Sequence, residues 1–228
     1  MRLFRLLLVS AAALISTARA DIACTMGKPL EEQHRPNMKR RAPPQNAKPI
    51  HTTVAEMAEW PIPGILSQKR RFRKQDSPLD PREQQVYTVE GNLWRFKVEE
   101  EDCDFHLEVS VPGGTKKDIR IVAEIPQAPA FAAAREELLR GLKAARDLIP
   151  GQRVTVKGSV PVRLTGYAFC DAQHYTVAEP KRGKGHGTQY VATIWEIHPV
   201  WKIEFLDKKA APQAIRRTGK TSSKKMEQ

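Results

Sequence analysis

The sequence predicts a mainly β fold: a five-stranded Greek-key barrel with one helix between strands three and four, flanked by disordered basic segments. Three observations predict it. Apolar and polar residues alternate through several stretches between residues 86 and 206, the signature of strands with one buried face. One stretch among them switches to helical spacing. Glycines sit inside the first and fourth strands, where they permit bulges and sharp bends.

Each element follows from its residues. Val86–Val98 reads as the first strand, with Leu93, Trp94, Phe96 and Val98 apolar and Gly91-Asn92 marking a bend. The acidic Glu99-Glu100-Glu101-Asp102 is a turn. Asp104–Val111 alternates cleanly, with Phe105, Leu107, Val109 and Val111 on one face and His106, Glu108 and Ser110 on the other. Pro112-Gly113-Gly114 ends it. Asp118–Ile125 is a third strand, with Ile119, Ile121, Ala123 and Ile125 on one face. Phe131, Ala134, Leu138, Leu142, Ala145 and Ile149 then recur at helical spacing, and Pro150-Gly151 stops the helix. Gly141 within it costs about 1 kcal/mol relative to alanine, which predicts close packing against the sheet. Arg153–Phe169 is the fourth strand, with Gly158 and Gly166 for curvature. A polar loop, Asp171–Thr188, leads to Val191–Phe205. There Trp195, Ile197, Trp201, Ile203 and Phe205 share one face, and Glu196, His198, Lys202 and Glu204 the other. Three strands, a helix and two strands, with those bends, is the connectivity of the OB-fold.

The flanks have a different character. Residues 1–20 read as a secretory signal: Arg2 and Arg5, an apolar run Leu6–Ile15, and Ala18-Arg19-Ala20 before the cleavage point. The mature chain then starts at Asp21 and folds outside the cytoplasm, in the periplasm or medium of a Gram-negative bacterium. It carries no transmembrane segment. Residues 21–85, rich in Pro, Gln, Lys and Arg, form a flexible basic leader, in which Val54–Leu66 around Trp60 docks on the domain. Residues 207–228 form a disordered basic tail. The chain's formal charge of +12 belongs to these flanks, because residues 86–206 hold 16 basic and 16 acidic side chains. A neutral domain lacks the positive field of a dedicated nucleic-acid-binding face. The basic runs, such as Lys39-Arg40-Arg41 and Lys69-Arg70-Arg71, suit an anionic surface or a nucleic acid without selectivity.

Asp104-Phe105-His106-Leu107, Ala123-Glu124-Ile125-Pro126 and Trp195-Glu196-Ile197-His198-Pro199-Val200 occur in this order. As a set they resemble a group of uncharacterised bacterial exported OB-fold-like proteins. The resemblance covers residues 86–206 and implies the fold; it brings no activity with it.

Three cysteines in an exported chain invite pairing. The loops joining strands one and two and strands four and five lie at the same end of an OB-fold, so a Cys103–Cys170 disulfide is expected, with Cys24 left over. Asp104, His106, Glu124, Glu196 and His198 project away from the apolar face of their strands, and Asp171 and His174 lie at the loop end. These residues suit a cross-strand hydrogen-bonding network. No cofactor is expected, yet His106, Glu124 and His198 are also a ligand set for a divalent metal. His186, in Lys184-Gly185-His186-Gly187, reads as a loop residue. Trp94 breaks its strand's alternation and reads as an exposed platform. No phosphate-cradling glycine loop or nucleophile motif is present. Three functions remain: a non-catalytic exported binding module for a protein, glycan, oligonucleotide or cation; a metal-dependent hydrolase or nuclease using the His/Glu cluster; and a nonspecific polyanion binder acting through its tails.

Overall fold

The computed structural model describes residues 27–68, 74–143, 148, 150–151, 153–207 and 216–218. The expected signal at 1–20, Cys24 and most of the basic tail lie outside the described residues.

Among the described residues seven strands form one sheet: β1 (Ile50–Thr53), β2 (Val86–Val98), β3 (Phe105–Ser110), β4 (Arg120–Ile125), β5 (Arg153–Cys170), β6 (Val191–Phe205) and β7 (Arg216–Thr218). The order is β1-β2-β3-β4-β6-β5-β7, and β2 also pairs with β5. That last pairing closes β2, β3, β4, β6 and β5 into a ring. Within it β4 and β6 run parallel and the other neighbours antiparallel. The helix Ala132–Gly141 lies between β4 and β5. This is the predicted OB-fold connectivity, with β1 and β7 added outside the closed barrel.

Alternation explains the closure. Phe105, Leu107 and Val109 of β3 join Ile121, Ala123 and Ile125 of β4 and Leu164 and Ile197 of β5 and β6 in one buried core. Each fully buried Leu, Ile or Phe contributes roughly 1.5–3 kcal/mol. The register of β2 shifts between Leu93 and Arg95, so Trp94 is the bulged residue and the bulge falls just beyond the expected Gly91-Asn92. Gly91 instead allows close approach, since a Cβ there would collide with the carbonyl oxygen of Ser110. Gly141 packs as predicted: a Cβ would run into the Phe205 ring on β6.

Several expectations are corrected. Ile119 is exposed because β4 begins only at Arg120. The helix ends at Gly141 with Leu142 as its cap, and Ala145 and Ile149 lie outside the described residues. Trp195 is buried, but Trp201 is only partly so and lies edge-on to Tyr167 at 5.2 Å. Cys170 is a free, buried thiol, so the expected Cys103–Cys170 bridge is not formed. Burial pushes that thiol's pKa well up, which keeps it protonated and inert.

The largest correction concerns the leader. Residues 27–68 and 74–85 pack on the barrel instead of hanging free. A capping box of Thr53 and Glu56 starts the helix Val54–Glu59, which buries Val54, Met57 and Ala58. Trp60 then packs on Tyr87 and Trp195, with ring centroids 5.0 and 5.5 Å away, so the Val54–Leu66 segment docks as expected. The strongest tie is Arg35. Its guanidinium forms a bidentate pair with Glu83 at 2.8 and 2.9 Å and also donates to the carbonyls of Gln75, Ser77 and Cys170. Both side chains of the pair are wholly buried. In the tail, Arg216–Thr218 pairs with β5.

Candidate functional site

Strand geometry sends alternate side chains to opposite faces. In β3 the inward set is Phe105, Leu107 and Val109, so His106, Glu108 and Ser110 point outward, with Asp104 just before them. The register places His106 opposite Glu124 of β4, and Glu196 of β6 lies level with Val122. This outer face of the second and third barrel strands is where OB-folds generally bind ligands, between the loop joining strands one and two and the loop joining four and five. Here the face is roofed over. Every residue of β3 and β4 is buried, because leader residues 34–40 and the loop 171–190 close over it.

Glu124 is the hub of one half. Its Oε1 lies 2.8 Å from His106 Nδ1, and its Oε2 lies 3.1 Å from His198 Nδ1. His106 Nδ1 also meets Glu99 at 3.1 Å. His198 reaches Glu196 at 3.2 Å through Nδ1 and Asp104 at 3.3 Å through Nε2. Burial alone would lower both imidazole pKa values. The surrounding carboxylates outweigh it, raising His106 to about 9 and His198 well above its ordinary value. For Glu124 burial works the other way, and His198, Lys39 and His106 overcome it to hold the carboxyl well below its usual range. Lys39, from the leader, pairs with Asp102 at 3.0 Å and stands 3.9 Å from Glu124. Asp102 is pushed up to about 6 by burial and by neighbouring Asp104, against the pull of Lys39.

The other half centres on Asp171, which directly follows β5. His186 Nε2 lies 2.6 Å from Glu196 Oε1 and 3.8 Å from Asp171. His174 Nε2 approaches Asp171 at 3.4 Å and His34 Nε2 at 3.8 Å. Burial lowers the pKa of His34 to about 4 despite Asp171, so this imidazole is neutral at pH 7. Further along the same face, Glu108 is satisfied by Arg120, Arg95 and Thr188.

Between the halves lies a cavity of about 340 Å³. Six carboxylates line it, from Glu99, Glu100, Glu101, Asp102, Glu124 and Asp171, against four cations, from Lys39, Lys97, Arg153 and the protonated His106. His106, His174 and His186 complete its polar wall. Excess negative charge in a concave, partly desolvated site favours a cationic occupant and repels phosphate.

All seven residues predicted for the polar cluster, Asp104, His106, Glu124, Asp171, His174, Glu196 and His198, therefore fall on this one face. The predicted metal set splits, however. His106 and His198 take opposite oxygens of Glu124, so the three are a bridged chain of ion pairs. The compact groups of three ligand residues are instead Glu99–His106–Glu124, Asp104–Glu124–His198 and Asp171–His186–Glu196. Sequence reasoning missed His34, Lys39, Glu99, Asp102 and His186. Lys39 sat in a basic run that looked solvated, and the acidic turn 99–102 looked like a surface turn. The one available signal was topological: in an OB-fold that turn and the 171–188 loop border the ligand face. Trp94, expected as an exposed platform, is half-buried and donates through Nε1 to Ser110 Oγ at 2.8 Å. Among the described residues no helix is long and apolar enough to cross a membrane. No protein-family model, curated protein or solved structure matches the chain.

Proposed function

We propose that the protein is an exported, non-catalytic binding module whose ligand is a small organic cation, an amine- or guanidinium-bearing chain, held in the cavity on the outer face of β3 and β4. The acidic lining of that cavity carries the reading. Export is supported by the signal-like residues 1–20 alone, and N-terminal sequencing of the secreted product beginning at Asp21 is its test. A cation entering the cavity meets Glu99, Glu100 and Glu101 at the rim before reaching the buried histidines. A nucleic-acid strand would meet the same carboxylates, which argues against a nuclease at this face. The ion pairs around Glu124 also argue for binding over catalysis, since each histidine is already committed to a carboxylate.

The test is a titration of the full chain with a short lysine-rich peptide and, separately, with a single-stranded oligonucleotide. The peptide is expected to bind, and Glu99→Gln together with Glu101→Gln to weaken it about tenfold, the equivalent of about 1.4 kcal/mol. Oligonucleotide binding that these same substitutions abolish, with no binding of the peptide, would overturn the proposal.

A further inference from the structure

We infer that the inner end of this cavity holds one divalent transition-metal ion, with His186, Glu196, Asp171 and His174 as its ligands. The inference deepens the cavity reading above and rests on it.

The ligand atoms of Asp171, His186 and Glu196 lie within 4.8 Å of one another. His174 Nε2 lies outside that group but only 3.4 Å from the Asp171 carboxylate, and its partly exposed side chain supplies the fourth ligand by turning in. Neighbouring ligand atoms around a tetrahedral zinc ion stand about 3.3 Å apart, given bonds of about 2.0–2.1 Å. The His174–Asp171 spacing fits as it stands, and the His186–Asp171 spacing of 3.8 Å needs a small contraction. The His186–Glu196 contact of 2.6 Å is a hydrogen bond; it widens when a metal replaces the shared proton.

Two observations beyond the cluster itself point to a cation. The first is the tautomer of His174. Its Nδ1 lies 2.8 Å from the Lys184 carbonyl oxygen, which can only accept, so Nδ1 carries the proton. That leaves Nε2 as the ring atom facing the Asp171 carboxylate, and a backbone carbonyl on the other ring nitrogen is the usual outer contact of a metal-bound histidine. The second is His34. Its side chain is nine-tenths buried and aimed at the same carboxylate, yet Nε2 makes no hydrogen bond. Buried nitrogens without a partner are rare and call for one. Two imidazoles and two carboxylates suit Zn²⁺ or Co²⁺ better than Mg²⁺ or Ca²⁺, which prefer all-oxygen sites. Asp171, His174 and His186 all line the cavity, which supplies the path of entry.

The competing occupant is the proton between His186 and Glu196, and metal analysis separates the two. The full chain, stripped with a chelator, is dialysed against Zn²⁺ and counted by mass spectrometry, then titrated with Co²⁺ in the visible range. One Zn²⁺ per chain is expected, with the absorption bands of a tetrahedral Co²⁺ site. His186→Ala should weaken Zn²⁺ binding about 100-fold and His174→Gln about tenfold, while His51→Ala, at an exposed position of β1, leaves it unchanged. If His186→Ala fails to fold, His174→Gln decides, because that side chain is partly exposed and its loss leaves the core intact. Absence of stoichiometric Zn²⁺ and Co²⁺, or undiminished Zn²⁺ affinity in His174→Gln, would overturn the inference. A metal-free chain that still binds the lysine-rich peptide would sink the metal site alone and leave the cavity reading standing.

Discussion

The two sides of β3 and β4 are equally buried and chemically opposite. Inward, Leu107, Ile121 and Ala123 pack with other apolar residues, and Phe105 packs with them beneath the buried Arg135 guanidinium, 3.6 Å from its ring centroid. Outward, His106 and Glu124 are just as inaccessible but charged, and the buried Glu196 and His198 of neighbouring β6 extend that polar face. The inner side is stabilised by removing apolar surface from water, which is non-directional and forgiving of small errors. The outer side must satisfy each ionised group by a partner at the right distance, because a buried charge left alone is far more costly than an exposed one. One strand pair thus carries an entropic core on one side and an electrostatic lattice on the other. The leader and the 171–190 loop are the lid that keeps the lattice dry.

The sharpest way to break this arrangement is to unfasten the lid. Arg35 sits in a left-handed backbone conformation, with φ 49, and its guanidinium fixes the turn that presents His34 and Lys39 to the lattice. Arg35→Ala leaves Glu83 buried without its counter-charge, and the expected loss is about 3–5 kcal/mol. Urea denaturation would read it as a lowered midpoint. Arg35→Met combined with Glu83→Leu removes both charges and should recover a large part of that loss. A single variant as stable as the wild type would mean that the lid is dispensable.

The second prediction separates the two sides by pH. The folded pKa of His106 is about 9 against an unfolded value near 6.5. Its protonated form is favoured by the fold, so its contribution is complete below about pH 6.5 and disappears as pH rises through 9. With each pKa unit equal to about 1.4 kcal/mol, a shift of this size is worth about 3 kcal/mol. His198, raised in the same direction, adds to the alkaline loss. At the acid end, Glu124 and Asp171 have depressed pKa values, so their contribution is lost as pH falls below the ordinary carboxylate range. Stability curves for wild type and His106→Gln should therefore converge between pH 6.5 and 9. Leu107→Ala, one residue along on the opposite face, is expected to lower stability by about 2–5 kcal/mol at every pH in that range. A His106→Gln curve running parallel to the wild type would remove the electrostatic account of the outer side.

The difference between the sides also decides what could be read in advance. Alternation placed Phe105, Leu107, Ile121 and Ile197 inside, and it necessarily placed His106, Glu124, Glu196 and His198 together outside, because strand parity works on both faces at once. Gly141 was legible as a packing glycine because its helical cost needed a reason. The lid was not legible. Lys39 and His34 reach the site from residues some 60 or more positions before β3, and no local pattern distinguishes Lys39-Arg40-Arg41 as a buried insert from the same run in water. His186 looked like a loop residue because its loop is polar and glycine-rich, and only the folded loop brings it onto Glu196. The cysteine pairing failed for a related reason. Shared location at one end of the barrel is a weaker condition than the short Cα separation a disulfide demands, and Cys170 is instead sealed behind Arg35 and Glu83, with its backbone N–H donating to Glu83 and its carbonyl accepting from Arg35.

The smallest effect tests the border between the two sides, at Trp94. As the bulged residue of β2 it belongs to neither alternation. It is half-buried, donates from Nε1 to Ser110 Oγ at 2.8 Å, and lies under the Arg120 guanidinium at 5.7 Å. Arg120 is itself held by Glu108 at 2.8 Å, so the indole closes the far end of the charged lattice. Trp94→Phe keeps most of the apolar surface and removes the one hydrogen bond, for an expected loss of about 1 kcal/mol. The Ser110 hydroxyl retains the Val111 carbonyl as an acceptor at 3.2 Å, which keeps the loss at the low end. Trp94→Ala also removes the ring and should lower stability by more than twice as much. An indole offered to a ligand would behave otherwise: both substitutions would leave the denaturation midpoint unmoved and alter ligand affinity alone.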